Sequence, residues 1–213
     1  MFRTLSSVLS VLLLAGCSVL GDRTGTEEPA YEVVARVGGI EIRRYAPRLA
    51  AEVTVAGAEE QARTAGFRKL AAFIFGANAA RSDVAMTAPV AQAVARGTEI
   101  AMTAPVAAAP EGEGRWTIRF FMPAQFTSQT LPRPTDPDVR IVTLPAETLA
   151  VLRFSGSRSA EAMARARVEL EQALRATSWR ASGPAVDWFY DPPWTLPMLR
   201  RNEVAVPVTQ AGS

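Results

Sequence analysis

The chain has 213 residues, 48% of them hydrophobic, which is enough apolar material for the core of one domain of ordinary size. Its 23 basic and 21 acidic side chains leave a formal charge of only +2 and are interleaved, so we expect no nucleic-acid partner. The chain has no histidine, and Cys17 is its single cysteine. Ser-His and Cys-His catalysis, histidine ligation of metals and disulfide bonding are therefore excluded.

The first residues are typical of an export signal. Arg3 is followed by the apolar run from Val8 to Leu14, which is far shorter than the roughly 20 residues of a membrane-spanning helix. Leu14-Ala15-Gly16-Cys17 resembles a bacterial lipobox, which implies cleavage before a cysteine that carries a lipid. Ser18 favours the outer membrane. The sequence thus predicts an exported, membrane-anchored lipoprotein, at the periplasmic face of the outer membrane.

Four segments follow from this interpretation. Residues 1–16 are the predicted signal peptide, and 17–30, rich in polar residues without periodicity, are the lipidated cysteine and a flexible tether. Residues 31–208 are the predicted domain, which we expect to be monomeric, and 209–213 are a C-terminal tail.

Strand and helix patterns alternate through the domain. A β-hairpin is predicted at Tyr31–Val37 and Ile40–Tyr45, joined by Gly38-Gly39, followed by a strand at 49–55. A helix begins after Gly57 and ends at Gly76, with an apolar stripe at i, i+3, i+4 and i+7. That stripe consists of Phe67, Leu70, Ala71 and Ile74.

A second, similar series of elements occupies the C-terminal part of the chain. Strands are predicted at 116–122, 140–144, 148–154, 185–190 and 203–208. A helix is predicted at 161–175 with Ser159 as its N-cap, and its inner face comprises Ala166, Leu170, Ala173 and Leu174. The expected fold is α+β, with two pseudo-symmetric halves that each pack one helix on a curved antiparallel sheet, as in a distorted open β-barrel with two main helices.

The hexapeptide Ala-Met-Thr-Ala-Pro-Val occurs at Ala85–Val90 and again at Ala101–Val106. Two copies this close together predict two neighbouring strands that hold Met86 and Met102 in related environments. Methionine is also a common filler of apolar cores, and that plainer role stays open.

Several motifs of unusual composition resemble the SOUL haem-binding family. They are the two AMTAPV copies, YEVVARVGGIEIRRY from Tyr31, FRKLAAFIFG from Phe67, MPAQF from Met122, LPRPTDPDV from Leu131 and YDPPWTLPMLRRNEVAVPV from Tyr190. The resemblance implies haem or another tetrapyrrole as ligand and a fold like the effector-binding domains of bacterial multidrug regulators.

Without histidine, the resemblance implies binding at a hydrophobic surface beside the first helix. The positions that match are Arg63, Phe67, Leu70, Ala71 and Ile74. Arg63 or Lys69 is a candidate partner for a haem propionate. Tyr190 and Trp194 are candidates for stacking on the macrocycle, and Met86 or Met102 for an axial ligand of the iron. The helix residues have an equally plain interpretation as core.

Three alternatives remain open at this point. The ligand could be another amphipathic small molecule or a lipid. An enzyme, such as a hydrolase, could use Tyr190, Asp187 and Glu203 as acid and base, although nothing in their spacing requires it. A purely structural envelope protein that only contacts other proteins is the third. The leading interpretation is non-covalent binding, without enzymatic activity, that sequesters haem or transfers it.

Overall fold

The structure is a computed structural model that describes residue 21 and residues 23–79 and 97–211. The predicted lipobox, Cys17 and the first AMTAPV copy with Met86 lie outside the described residues. Among the described residues, no helix is long and apolar enough to cross a membrane.

The described residues contain twelve strands and two α-helices. The strands are β1 (Tyr31–Val37), β2 (Ile40–Tyr45), β3 (Arg48–Ala56), β4 (Asn78–Ala79), β5 (Val106–Pro110), β6 (Arg115–Phe121), β7 (Arg133–Pro134), β8 (Arg140–Leu144), β9 (Glu147–Phe154), β10 (Trp179–Ala181), β11 (Val186–Phe189) and β12 (Asn202–Gln210). The helices are α1 (Glu59–Ile74) and α2 (Ala160–Arg175), and a short 3-10 helix spans Pro197–Leu199.

The chain divides into two compact units, one of which is formed largely by its middle. This middle unit comprises 27–31 and 45–147. Its antiparallel strands lie in the order β5-β6-β3-β8, and β4 pairs with β7. Helix α1 packs on β3 and β6. Gly66 lies buried at this contact, where a Cβ atom would come within 2.5 Å of Cγ1 of Ile118.

The terminal unit is built from the two ends of the described chain. It comprises residues up to 26, 32–44 and 148–211. Its strands follow the order β1-β2-β9-β12-β11, with β10 also paired to β12. Helix α2 contacts β10 and β12, and its N-cap Ser159 accepts a hydrogen bond from the backbone N–H of Ala162.

The α+β class and the two halves, each with one helix and an antiparallel sheet, are confirmed. The halves do not follow one another along the chain as predicted, because the strands predicted at 116–122 and 140–144 belong to the middle unit and the first hairpin belongs largely to the terminal unit. The β1–β2 hairpin has the predicted bounds, and Gly38 at its turn has a φ of 57°, a conformation that glycine adopts without strain. The second AMTAPV copy was misassigned as a strand: it makes an isolated bridge from Thr103 to Glu27, and only its Val106 belongs to a strand, β5.

Candidate functional site

Helix α1 has two apolar faces that the sequence pattern merged into one. The face toward the sheet consists of Ala62, Gly66, Leu70, Phe73 and Ile74. Leu70 is 0% exposed and Ile74 is 1% exposed, so both belong to the core. Among the predicted ligand positions, these two do not present a side chain at the surface.

The second apolar face runs along the outside of the helix. Phe67, Ala71 and Phe75 are spaced by four positions, which places them on one slowly turning stripe. Phe67 is 38% exposed and packs edge-on against Phe120 at 5.3 Å between ring centroids, whereas Phe75 is 62% exposed. Ala71 lies half-buried between them. We call these three residues the outer stripe. The sequence analysis missed Phe75 because it lies eight positions after Phe67, outside the i, i+3, i+4, i+7 pattern that defined the predicted stripe.

The basic side chains of α1 differ in the partners that they bind. Nη1 of Arg63 lies 3.7 Å from Oε1 of Glu59, and its side chain is mostly buried. Nζ of Lys69 donates to Asp136 and Asp138, both at 2.8 Å. These hydrogen bonds raise the pKa of Lys69, and that with Lys69 lowers the pKa of Asp136. Arg68 is exposed and forms no ion pair with any described residue, so it is the more accessible cation on this face.

Met102 is the one of the two candidate methionines that lies within the described residues. Two positions earlier, the backbone N–H of Ile100 donates to the carbonyl of Ile74, at the end of α1. Met102 itself is 40% exposed. A thioether is thus available at the surface in a segment bound to the last turn of the helix.

The two aromatic residues predicted to stack on a macrocycle occupy different environments in the terminal unit. Tyr190 is 8% exposed, its hydroxyl donates to Glu203 at 2.8 Å, and the guanidinium of Arg201 lies 3.7 Å from its ring centroid. Trp194 is 62% exposed. The two rings therefore do not form one exposed platform.

Tyr190 belongs to a buried charged cluster around Glu203, whose side chain is 0% exposed. Arg43 donates to both carboxylate oxygens of Glu203, at 2.8 and 3.2 Å, and Nε of Arg201 donates at 3.0 Å. Arg43 also donates to Glu41. Partial burial acts to raise the pKa of Glu41, but hydrogen bonds and charge from Arg43 and Arg36 leave it below its ordinary value. The carboxylate of Glu203 is thus engaged by Arg43, Arg201 and Tyr190 inside the terminal unit, as expected of a buried charge that stabilises the fold.

The two carboxylates of the hydrolase alternative do not share a site. In the β11–β12 register, Asp187 is paired with Val204, and Glu203 with Trp188. Directly paired residues lie on the same face and successive residues on opposite faces, so Asp187 and Glu203 point to opposite sides of the sheet. Asp187 is instead bound by Arg167 of α2, whose Nε lies 3.1 Å away.

A shallow cleft of about 360 Å³ lies beside α2 in the terminal unit. Leu174 and Trp179 supply its apolar lining, and Arg175 and Arg180 supply charge. Nη1 of Arg180 donates to the carbonyls of Thr177 and Trp179. None of the predicted ligand residues that the structure describes lines this cleft.

Comparison with known proteins gives one family and one fold. The family model described as SOUL heme-binding protein matches residues 26–207. No curated protein matches the chain significantly. Among solved structures, the C-terminal domain of EcmrR is similar with a TM-score of 0.55 and 11% identity, over 85% of this chain and 99% of that one.

Two proteins from Listeria innocua have the same fold. An uncharacterized conserved protein has a TM-score of 0.54 and 15% identity over 82% of this chain and 94% of its own. A protein described as a hydrolase has a TM-score of 0.52 and 14% identity over 83% and 94%. At such identities the likeness concerns the fold alone, and it confirms the expected effector-binding-domain architecture.

Proposed function

Since the chain belongs to the SOUL haem-binding family, we propose that it binds haem or another tetrapyrrole non-covalently at the outer stripe of α1. The observation that carries this proposal is an apolar stripe on the solvent side of a helix whose core face is already filled by Leu70, Phe73 and Ile74. Exposed phenyl rings in such an arrangement are typical of ligand or partner surfaces.

The dimensions of the outer stripe suit a flat apolar ligand. Phe67 and Phe75 are eight positions apart, which is about 12 Å along a helix axis, comparable to the width of a tetrapyrrole. Ala71 between them has only a methyl group, so a planar ring system can approach the helix closely while both phenyl rings contact it.

The chain also has candidate residues for binding the propionates and for ligating the iron. Arg68 lies three positions before Ala71, on the same side of α1, where its guanidinium can bind a propionate carboxylate. Haem would bring an iron that accepts a thioether in place of imidazole, and Met102 is the exposed candidate in the described residues. Met86 remains a second candidate outside them.

We further propose that binding takes place at the cell envelope, with the protein anchored by a lipid on Cys17. The lipobox-like Leu14-Ala15-Gly16-Cys17 supports this location. Several acyl chains on one cysteine give lasting attachment, because each buried methylene contributes about 0.8 kcal/mol. Without an enzymatic role, the protein would sequester haem or hand it to another component.

Titration with hemin tests the assignment. We expect the purified protein to shift the Soret band at micromolar concentration, and Phe75→Ser with Arg68→Glu to weaken binding roughly tenfold or more through lost apolar area and charge. Val168→Ser, which changes a 52% exposed residue of α2, should leave the affinity unchanged. Met102→Leu should alter the spectrum if its thioether ligates the iron.

Two results would contradict the proposal. One is no spectral shift at all with hemin or with iron-free protoporphyrin. The other is equal affinity of the outer-stripe variant and the Val168→Ser control, which would place the ligand elsewhere. Binding of a lipophilic cation in place of hemin would favour the amphipathic-ligand alternative.

A further inference from the structure

An exposed apolar loop lies in the terminal unit between β11 and β12. Trp194, Leu196, Met198 and Leu199 are 62%, 42%, 73% and 39% exposed. We call residues 192–199 the apolar loop. Four large apolar side chains within six positions form a concentrated patch, which is unusual for a surface that contacts only water.

The loop is held in a fixed conformation by polar contacts beneath it. The side chain of Arg200 donates to the carbonyls of Thr195 and Pro193, at 2.7 and 2.8 Å. The backbone N–H of Gly156 donates to the carbonyl of Pro197, and Thr195 itself is fully buried. Because the backbone is already ordered, the exposed side chains can bind a surface at little cost in conformational entropy.

The chain just after the predicted lipidation site packs on this same loop. Gly21 has a φ of 72°, and a Cβ atom there would lie 2.8 Å from the carbonyl oxygen of Leu199. Arg23 donates to the carbonyl of Gly21 at 2.9 Å and to Asp191, immediately before the loop, at 2.7 Å. Part of the predicted tether is thus bound to the apolar loop.

This attachment limits how far the loop can lie from a lipid on Cys17. Cys17 precedes Gly21 by four residues, and an extended chain spans at most about 3.5 Å per residue, so the two cannot be more than about 14 Å apart. A protein anchored at Cys17 therefore holds the apolar loop close to the membrane surface.

The side chains of the loop match the chemistry of that surface. Tryptophan is enriched at membrane–water interfaces, and leucine and methionine bury readily among acyl chains. Arg200 binds only backbone carbonyls among the described residues, which leaves its charge available to phospholipid phosphates.

We propose that the apolar loop inserts into the headgroup region of the membrane that anchors the protein, as a second contact that orients the domain. This inference rests on the proposed lipid attachment at Cys17 and is independent of haem binding. The lipid on Cys17 supplies the attachment, and the loop fixes which side of the terminal unit faces the bilayer.

Depth-dependent quenching tests the insertion. The lipidated protein is reconstituted in vesicles of phosphatidylethanolamine and phosphatidylglycerol that contain brominated acyl chains, and the signal of Trp194 is taken as the difference from Trp194→Phe. We expect brominated lipid to quench Trp194. In Leu196→Ser with Met198→Ser the quenching should fall severalfold. Val168→Ser, at an apolar site in the same unit whose exposure lies between those of Leu196 and Met198, should leave it unchanged.

A second measurement uses the mature chain from residue 17 with Cys17→Ser. We expect this unlipidated chain to bind the same vesicles weakly. Its affinity should fall roughly tenfold in the Leu196→Ser, Met198→Ser variant, because the apolar loop loses apolar area. Unquenched Trp194 in lipidated protein, or self-association that buries Trp194 without vesicle binding, would overturn the inference.

Two controls distinguish failure of this inference from failure of the proposed lipid attachment and of the proposed haem binding. Mass spectrometry of the mature N-terminus reports whether Cys17 carries a lipid. An unmodified Cys17 would overturn the proposed attachment and, with it, this inference. Hemin affinity of the Leu196→Ser, Met198→Ser variant should equal that of the unchanged protein, because the outer stripe is intact.

Discussion

The two helices have the same length and the same kind of sheet beneath them, yet their solvent faces differ. Both α1 and α2 are 16 residues long. On α1, Phe67 and Phe75 are exposed, whereas the outward positions of α2 are largely charged, with Glu169, Glu171 and Arg175 among them. The two units therefore share a helix-on-sheet architecture, but only α1 carries the outer stripe of exposed aromatic side chains.

The two units also differ in what stabilises their interiors. The terminal unit buries an ionic cluster around Glu203, while the middle unit brings the backbone of α1 against Ile118 at Gly66. The first depends on charge compensation and the second on the absence of a side chain. Substitutions can probe each dependence separately.

The largest expected effect is that of Glu203→Gln. This change keeps the size of the side chain but leaves Arg43, only 3% exposed, without its buried counter-charge. We expect the free energy of unfolding to fall by about 3 kcal/mol, as when one partner of a buried pair is removed. Urea denaturation measures the loss. Glu32→Gln, which breaks an exposed ion pair with Arg44, should lower the free energy of unfolding by less than about 1 kcal/mol. Equal losses in the two variants would show that burial does not determine how much an ion pair contributes to stability.

A smaller effect is expected at the contact of α1 with its sheet. Gly66→Ala raises helix propensity, but its Cβ would overlap Ile118, so we expect a net loss of about 1–2 kcal/mol. Thr64→Ala on the exposed side of α1 should instead raise stability by a few tenths of a kcal/mol. The melting temperatures of the two variants show whether the two changes have opposite effects on stability. A stabilising Gly66→Ala would mean that α1 lies farther from Ile118 than the structure shows.

The smallest effect concerns the first turns of the helices. Ser159 caps α2 with its side chain, while Ala58, in the same extended conformation before α1, makes no such bond. Ser159→Ala should cost about 1 kcal/mol, and Ala58→Ser should gain up to that amount. Denaturation midpoints of the two single variants report both changes, and a loss from Ala58→Ser would contradict the shared cap geometry.

Local patterns in the sequence predicted the hairpin, both helices and the N-cap Ser159. Each depends on neighbouring residues, such as Gly38-Gly39 or the turn before α2. The two-residue strands β4 and β7 were missed, because their pairing joins Asn78 to Pro134 and leaves no local periodicity.

The candidate surface was predicted in part. Periodicity placed Phe67 with Leu70 and Ile74, because a helix with apolar residues on two adjacent faces gives one broad stripe in the sequence. Only the packed structure separates the core face from the outer stripe, adds Phe75 to that stripe and shows Arg68 as an accessible cation on the same helix. The Glu203 cluster was also beyond local reasoning, since Arg43 precedes its partner by 160 positions.

The division of the chain also sets the order in which the parts of the molecule can assemble. Residues 45–147 of the middle unit are contiguous, whereas β2 must pair with β9 across the whole of that contiguous stretch, and β9 must then pair with the still later strand β12. Contacts so distant along the chain form slowly. During synthesis from the N-terminus, the terminal unit therefore stays incomplete until its last strand, β12, has been made, and β1 and β2 wait for their partner strand throughout that interval.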